Sequence, residues 1–339
     1  MSHRVVVSGV GAISAVGENS EQTWQAMLSG RSGIAPITLF DASDFNVKIQ
    51  AEVKIEPEKL LQLDGRVKAK QLKHMNRSVK FALLSALEAL DDSQLEVCEK
   101  NADEIGIIFG SGAGGSEILL KGQETLRTKG AKRISPFLIA NFIVDAASGH
   151  IAIATGARGP NMAISSACAT GTTAIGEAYS TIARGDASAI ITGSSDAVLL
   201  PIFHATWISM RALSRNTGNP SQSMRPFDLE RDGFIAGEGG AAFILENYEH
   251  ALARNAKVYA EIIGYGSAND AHDMIALDVS GKGLSRAIRA SFQTACISPG
   301  MVDYINPHGS ATKMNDLVET NVIKAIFGKE KANSSGKRI

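Results

Sequence analysis

The sequence predicts an α/β protein whose mainly parallel sheet is covered by helices on both faces. Runs rich in β-branched residues alternate along the 339-residue chain with segments in which apolar residues recur at helical spacing. This alternation is typical of parallel sheets, because two parallel strands need a crossover connection that is usually a helix. A hydrophobic content of 44% provides a sizeable core, enough for one large domain or two mid-sized ones.

The first set of predicted elements fills residues 1–250. Its strands are the runs RVVVSGV (4–10), EIGIIFG (104–110), MAISSA (162–167), SAIITGSS (188–195) and AAFILEN (241–247). Between these strands, apolar residues at helical spacing predict helices. They are marked by Val79, Leu83, Leu87 and Leu90 and by the run GTTAIGEAYSTIARG (171–185).

A second, shorter set of elements follows in residues 251–339. It consists of a predicted strand in KVYAEIIGYGSA (257–268), a helix near 282–296, a strand in VDYINP (302–307) and a helix near 314–327. This order resembles a restart of the first set and therefore predicts two similar halves. With only two clear strands, the second half is expected to be incomplete.

The charge balance and hydropathy exclude two classes of protein. The sequence has 34 Lys and Arg against 35 Asp and Glu, so no general basic field is available for nucleic acid. No uninterrupted apolar run approaches the ~18 residues that a membrane helix needs, so membrane insertion is not expected. The basic stretch 66–80 is either a solvated helix face or a dock for an acidic partner.

The three cysteines lie far apart in the sequence and form no CxxC pair. This spacing predicts a reducing cytoplasm as the location and no structural metal site. Cys98 and Cys296 lie in helix-like segments and are expected to be buried and inert. Cys168 is different, because it stands between a predicted strand and a predicted helix in ISSACATGTTAIGEA (164–178).

The surroundings of Cys168 allow two interpretations. A thiol at a helix N-terminus lies near the positive end of the helix dipole, which lowers its pKa and favours the thiolate. The neighbours Ala167, Ala169 and Gly171 are small and would leave a substrate room to reach the sulfur. The alternative is a packed, inert thiol, which is the commoner role of an isolated cysteine.

The motif NPHGSATKMND (306–316) places His308 just beyond the end of a predicted strand. Ligands of parallel sheets bind at this rim, so His308 is a candidate acid–base or electrophilic partner for an activated Cys168. A single histidine in such a place is also common as a hydrogen-bonded loop residue.

Two other motifs also have a functional and a structural interpretation. GSGAGG (110–115) fits a dinucleotide-binding pattern, but the strand with an acidic end that should follow is absent, so a tight glycine turn is the alternative. The stretch 224–246 combines charges with glycines and is expected to form a floor held by ion pairs. The residues expected in these pairs are Arg225, Asp228, Arg231 and Asp232.

Together these stretches resemble the β-ketoacyl-acyl-carrier-protein synthases, in particular the long-chain elongating type. The motifs are SACATG around the cysteine, RALSRNTGNPSQSMRPFDLERDGFIAGEG and NPHGSAT, and the resemblance covers residues 4 to about 329. It implies a thiolase-like fold of five αβαβα layers in two similar halves, 1–250 and 251–339, usually as a homodimer. It also implies decarboxylative condensation with malonyl-carrier protein, without a cofactor beyond the phosphopantetheine arm of the acyl carrier protein.

The resemblance implies a role for several residues that match the motifs of the family. Cys168 resembles the acylated nucleophile, and His308 resembles the first of two histidines that bind the malonyl thioester carbonyl. Ser310 and Thr312 match hydroxyls that contact the pantetheine arm. Arg211 matches a positive residue near the phosphate at the mouth of the tunnel.

The sequence also departs from the family pattern at several positions. Ala113 stands where long-chain members often have Ile, which would leave the acyl pocket less gated. Phe203 and Trp207 stand where the family has Gly and Phe, which would narrow another wall. DAHDM (270–274) replaces a pattern like DAYHM. The later Lys, second His and Gly-rich Phe loop of the family have no counterpart in this sequence, so slow condensation is expected.

The expected function is therefore that of an acyl-carrier-protein-dependent condensing enzyme of fatty acid or polyketide synthesis in the cytoplasm. One alternative is a non-catalytic partner, similar to a chain-length factor, that shapes the tunnel of a ketosynthase heterodimer. The retained Cys168 and His308 disfavour that alternative, and the missing second histidine favours it. A thiolase that uses coenzyme A is a third alternative, which fits the motifs less well.

Overall fold

Six strands form one mixed sheet in the computed structural model, which describes residues 3–216 and 218–328. The strands of this sheet and of a second, two-stranded sheet are β1 (Val5–Ile13), β2 (Ile34–Pro36), β3 (Ile49–Ala51), β4 (Ile105–Gly110), β5 (Asn161–Ile164), β6 (Ala189–Asp196), β7 (Gly239–Asn247) and β8 (Ala260–Ile262). The order in the large sheet is β5-β4-β6-β7-β1-β8, and β2 pairs with β3 in a separate sheet.

The direction of the strands corrects one prediction, because the sheet is mixed rather than mainly parallel. β4 runs parallel to both β5 and β6, whereas β7 is antiparallel to β6 and to β1, and β8 is antiparallel to β1. The chain reaches β7 from β6 through residues 197–238, and an antiparallel return needs no crossover helix. The alternation of strands and helices in the sequence therefore did not reveal the direction of β7.

The helices lie where the sequence predicts most of them. They are α1 (Ser20–Leu28), α2 (Pro57–Asp64), α3 (Ala69–Leu72), α4 (Arg77–Ser93), α5 (Ser116–Lys129), α6 (Leu138–Phe142), α7 (Ala146–Thr155), α8 (Thr170–Arg184), α9 (Pro201–Ser209), α10 (Tyr248–Ala253), α11 (Lys282–Ala295) and α12 (Lys313–Phe327). The predicted helices that correspond to α4, α8, α11 and α12 are confirmed. In the part of the chain that the structure describes, no helix could cross a membrane.

The described residues form two compact units. The first consists of residues 3–33, 51–200 and 237–262, and the second of residues 34–50, 201–216, 218–236 and 263–328. The large sheet lies in the first unit, whereas α9, α11 and α12 lie in the second. The division of the sequence into halves near residue 250 stays a prediction.

The sheet of the first unit is covered by helices on both faces, as predicted. On one face α4 and α7 pack against β4, where Ile107 and Phe109 contact a cluster that includes Leu83 and Ile151. On the other face α8 packs against Ile108, which points the opposite way because side chains alternate along a strand. Each fully buried side chain of this kind contributes roughly 1.5–3 kcal/mol to stability.

Helix α8 is formed by a regular apolar spacing and ended by a glycine. Ala174, Ala178 and Ile182 are four residues apart and fully buried, so they form the face that packs on the sheet. The helix ends at Gly185, whose φ of +87° is accessible to glycine at little cost. The opposite end of α8 begins directly after Cys168 and Ala169.

The second unit contains a pair of helices and a buried histidine. Phe292 of α11 and Phe327 of α12 contact each other edge to face with ring centroids 5.7 Å apart. His204 of α9 is buried between the rings of Phe40 and Phe45, and its Nε2 lies 2.8 Å from the carbonyl oxygen of Val47. This histidine therefore anchors the segment around Val47 to α9.

Two predicted strands differ from the structure. Within 257–268 only the short strand β8 forms, and its ladder to β1 ends at Ile262. The chain then turns away, because Gly264 and Gly266 lie against the backbone of α11. The prediction of a strand at 302–307 was wrong, since this run is irregular and joins no ladder among the described residues. Its β-branched and aromatic residues gave it strand propensity, but a strand also needs a neighbour to pair with.

Candidate active site

Cys168 lies in a short turn between β5 and α8, as the sequence predicts. The turn is a single 3₁₀ segment, Ala167–Ala169, and the thiol is exposed and not part of a disulfide. Ala167 has a φ of +50°, in the left-handed region that costs a non-glycine residue about 1–2 kcal/mol. The turn therefore presents Cys168 to solvent at the N-terminal end of a 15-residue helix.

Thr170 holds this turn in place. Its Oγ1 accepts a hydrogen bond from the backbone N–H of Ser166 (2.9 Å) and donates one to the carbonyl oxygen of Ala167 (2.7 Å). The side chain thus closes a loop around Cys168 by pairing the backbone N–H that precedes the turn with the carbonyl at its start. Because Thr170 is buried, the bonds are shielded from competing water.

The turn packs closely on the ends of two strands. A Cβ placed on Gly110, the last residue of β4, would lie 2.3 Å from Cγ2 of Thr170. A Cβ placed on Gly171 would lie 2.8 Å from Oγ of Ser194 in β6. At Gly110 the clash is with a buried, branched side chain, so glycine is required there, whereas at Gly171 the added Cβ would meet only a serine hydroxyl that can rotate.

The loop that follows β4 is a tight glycine turn that carries Ala113. Gly114 has a φ of +55°, and a Cβ on it would lie 2.8 Å from the carbonyl oxygen of Phe142. On the other side, a Cβ on Gly112 would lie 3.8 Å from the carbonyl oxygen of Ala167. The structure therefore brings half-buried Ala113 and the turn of Cys168 together.

In the second unit, a buried carboxylate holds the backbone of His308. Glu319 of α12 accepts hydrogen bonds from the backbone N–H of His308 (2.6 Å) and of Gly309 (2.9 Å). Glu319 is only 7% exposed, and its bond from Gly309 is buried whereas its bond from His308 is half-buried. Sequence reasoning missed this residue, although its place one helical turn after Asp316 in an otherwise apolar face is a signal that could have been used.

The hydroxyls of Ser310 and Thr312 are hydrogen-bonded to each other, with their oxygen atoms 2.9 Å apart. Thr312 immediately precedes α12, and Ala311 between them is fully buried with a φ of +60°. The two hydroxyls therefore lie on the same side of the chain, and their contact with a substrate stays a prediction.

The ion pairs of the 224–246 stretch are confirmed in part. Arg225 lies 3.6 Å from Asp232, as predicted. Arg231 instead lies 3.4 Å from Asp316 of α12, a residue that the sequence did not suggest. Asp316 is 1% exposed and also accepts a hydrogen bond from the backbone N–H of Phe227 (2.7 Å), so it ties this stretch to α12.

Arg211 and Thr312 line a cleft of about 710 Å³ in the second unit, together with Arg215, Asp232 and Lys313. The side chains of Arg211, Arg215 and Lys313 are exposed and have no ion pair or hydrogen bond among the described residues. The cleft thus presents three positive charges with only Asp232 to oppose them.

The carboxylate of Asp232 already interacts with neighbouring groups of the protein. Burial acts to raise its pKa, but hydrogen bonds from Ser214 and from the backbone N–H of Arg215, with the charge of Arg225, outweigh burial and lower the pKa. The carboxylate is therefore ionised and already neutralised in part by Arg225. The cleft keeps a net positive charge and can accept an anionic group such as a phosphate.

Phe203 and Trp207 stack on each other along α9. Their ring centroids are 5.9 Å apart with 27° between the planes, and Trp207 also meets Phe234 edge to face at 5.8 Å. All three rings are partly buried. They form an aromatic cluster within the second unit, and the narrowing of a pocket wall by Phe203 and Trp207 stays a prediction.

The other two cysteines correct a prediction. Cys98 and Cys296 are both exposed, not buried, and Cys296 lies at the end of α11 with a φ of +54°. A helix-like pattern in the sequence does not show whether a cysteine lies inside the helix or just beyond its end, where it is exposed. Among the described residues, no cluster of His, Cys, Asp and Glu could hold a metal ion.

The chain matches two family models over most of its length. The model described as β-ketoacyl synthase, N-terminal domain, matches residues 2–251, and the C-terminal domain model of the same enzymes matches residues 259–337. A 3-oxoacyl-[acyl-carrier-protein] synthase 2 from Synechocystis sp. is 43% identical over 330 residues, which are 97% of this chain and 78% of that protein.

Solved structures of ketosynthases have the same fold. The ishigamide ketosynthase/chain length factor superposes with a TM-score of 0.85 at 30% identity, over 97% of this chain and 79% of that chain. A type II polyketide synthase acyl-carrier protein in complex with its ketosynthase gives 0.83 at 31% identity, over 98% and 79%. These similarities confirm the predicted thiolase-like α/β fold.

Proposed function

Since the chain belongs to the β-ketoacyl synthase family, we propose that it is a 3-oxoacyl-[acyl-carrier-protein] synthase that elongates acyl chains with malonyl-carrier protein. One observation carries this proposal: an exposed cysteine stands in a constrained turn at the N-terminus of a long helix. Helix N-termini stabilise thiolates, and the thiolate is the form that attacks a thioester. The exposed thiol also favours catalysis over the non-catalytic, chain-length-factor-like alternative.

The proposed reaction has three steps. The Cys168 thiolate attacks the acyl thioester carbonyl, and the carrier leaves as a thiolate that takes up a proton. The malonyl thioester loses CO₂ and becomes an enolate, whose charge is stabilised by a hydrogen bond from His308 to the thioester oxygen. The enolate carbon then attacks the acyl carbonyl, the Cys168 thiolate leaves, and the 3-oxoacyl product remains on the carrier.

The positive cleft of the second unit is the proposed site for the phosphate of the carrier's phosphopantetheine arm. Arg211 is joined there by Arg215 and Lys313, and Thr312 adds a hydroxyl at the start of α12. Charge-assisted hydrogen bonds to phosphate are the strong ones, and a helix N-terminus adds favourable dipoles. Ser310 and Thr312 would donate hydrogen bonds to the amides of the arm.

An acyl carrier protein is the proposed partner, and the basic stretch 66–80 is the proposed dock. Lys68, Lys70 and Lys73 around α3 are exposed and form no ion pair among the described residues. By contrast, Arg77 and Lys80 pair with Glu238 and Glu58. The unpaired lysines leave a local positive field that would steer an acidic partner.

The chain is proposed to act as a homodimer that uses the edge of β5. This strand ends the large sheet, so its outer side has no neighbour among the described residues. Around it, α6 and α7 expose Ile139 (71%) and Ile153 (67%), and β5 itself exposes Met162 (42%). An open strand edge beside exposed apolar side chains is a surface that proteins normally cover.

The dimer can be tested by sedimentation velocity at several concentrations. We expect a wild-type dimer and a shift toward monomer for the double variant Ile139→Lys with Ile153→Lys, because two charges would be buried in the interface. Leu63→Lys is the matched control, since Leu63 is 84% exposed and lies on α2. A monomeric wild type, or an unchanged double variant, would contradict this interface.

The function itself is tested with purified chain, acyl-carrier thioesters and malonyl-carrier protein. Mass spectrometry of peptides should find the acyl group on Cys168 and not on Cys98 or Cys296, although all three thiols are exposed. The 3-oxoacyl carrier should then appear with malonyl-carrier protein present. An acyl group spread over all three cysteines, or none at all, would exclude Cys168 as the nucleophile.

A further inference from the structure

Asp196, the last residue of β6, is bound to the loop that carries Ala113. Its Oδ1 accepts hydrogen bonds from Oγ of Ser111 (2.8 Å) and from the backbone N–H of Ala113 (3.1 Å). Its Oδ2 accepts a third from the backbone N–H of Gly112 (3.0 Å). One carboxylate therefore binds three consecutive residues that are more than 80 positions away in the sequence.

The same network reaches the fourth residue of the loop. Oγ of Ser111, which donates to Asp196, accepts a hydrogen bond from the backbone N–H of Gly114 (2.9 Å). An ionised carboxylate is an acceptor only, so it suits a loop that points three donors at it. An amide in its place would turn an N–H₂ group toward at least one of these donors.

The loop has little freedom to move away from Asp196. A Cβ on Gly112 would lie 3.3 Å from Oδ2 of Asp196, and one on Gly115 would lie 2.1 Å from the carbonyl oxygen of Asn141. The loop is thus held between the carboxylate and the end of α6. Because Gly112 also faces the carbonyl oxygen of Ala167, the carboxylate sets the position of the loop relative to the turn of Cys168.

We propose that Asp196 is a positioning residue that fixes Ala113 beside the turn of Cys168 and thereby sets which acyl chain lengths are accepted. This inference rests on the proposed function and on the expectation, implied by the family resemblance, that Ala113 lines the acyl pocket. The carboxylate contacts neither the acyl group nor the thiol in this role. It acts through the backbone of residues 111–113.

The test compares acylation of Cys168 by a short (butanoyl) and a long (hexadecanoyl) carrier thioester in Asp196→Asn and Asp196→Glu. We expect the ratio of the two kcat/KM values to change by about tenfold, the effect of displacing a pocket wall by about one methylene. Ala113→Ile is the positive control, because the added bulk should slow the long chain more than the short one. Alkylation of Cys168 by iodoacetamide should stay unchanged in all three variants.

The possible results distinguish a failure of the proposed role of Asp196 from a failure of the proposed function. If Ala113→Ile changes the ratio but the Asp196 variants lower both rates equally, Asp196 does not set chain length. If the wild type is acylated by no thioester, the proposed function fails and this role fails with it. Should Asp196→Asn not fold, Ser111→Ala removes one donor and keeps the carboxylate, and it should change the ratio in the same direction by a smaller factor.

Discussion

Replacing Cys168 with alanine is expected to abolish acylation and to lower condensation on the order of 10⁶-fold, the size of effect seen when a serine protease loses its nucleophile. The turn Ala167–Ala169 otherwise contains only alanine, so it offers no second nucleophile. The fold should be preserved, because the Cys168 side chain is exposed and alanine suits the same backbone. The measurements are acyl-enzyme formation by intact mass and product formation by carrier mass.

The control for this experiment is Cys98→Ala, which removes another exposed thiol of the same unit. Its acylation and condensation should equal those of the wild type, and its free energy of unfolding should change by less than about 0.5 kcal/mol. Stoichiometric acyl-enzyme in Cys168→Ala would show that the nucleophile lies elsewhere in the chain.

Replacing Glu319 with alanine is expected to lower kcat of condensation by about 10²–10³, the usual effect of losing one preorganised hydrogen-bond donor to a developing negative charge. The substitution leaves the N–H groups of His308 and Gly309 without their acceptor, so the backbone that carries the imidazole loses this anchor. The donor of Gly309 is buried and that of His308 is half-buried, so the substitution should also lower stability, by about 1–3 kcal/mol for the buried donor. Acylation of Cys168 should change far less, because the proposed role of His308 begins with the malonyl group.

Two further variants make the Glu319 result specific. Glu319→Gln keeps one oxygen acceptor and should lose less activity than Glu319→Ala. Glu230→Ala removes an exposed glutamate of the same unit and should have no effect. Equal loss of acylation and condensation in Glu319→Ala would indicate general disruption of the second unit instead of a misplaced His308.

The parts of the fold that the sequence predicts are those decided by local pattern. β-Branched runs gave β1, β4, β6 and β7, and apolar spacing gave α4 and α8. The direction of β7 could not be predicted, because it depends on where residues 197–238 return to the sheet. The prediction of a strand at 302–307 was wrong for the same reason, because a strand forms only when a neighbouring strand, often distant in the sequence, pairs with it.

The candidate site shows the same limit. The turn of Cys168 was predictable because small residues at a strand–helix junction are adjacent in the sequence. The role of Asp196 was not, because it binds backbone N–H groups more than 80 positions away, which no local pattern encodes; for Glu319 the burial could have been predicted, but not its backbone partners. The fold decides which backbone N–H groups such a carboxylate reaches.

The absence of space at Gly110 and Gly171 restricts the evolutionary routes open to this turn. Every single-codon change at either glycine adds at least a Cβ, which would lie 2.3 Å from Thr170 or 2.8 Å from Ser194. A lineage could relieve the first clash only by first replacing Thr170, the residue that holds the turn closed. Replacement of Gly110 is therefore expected to be tolerated only together with a change at Thr170, so these two positions should vary together.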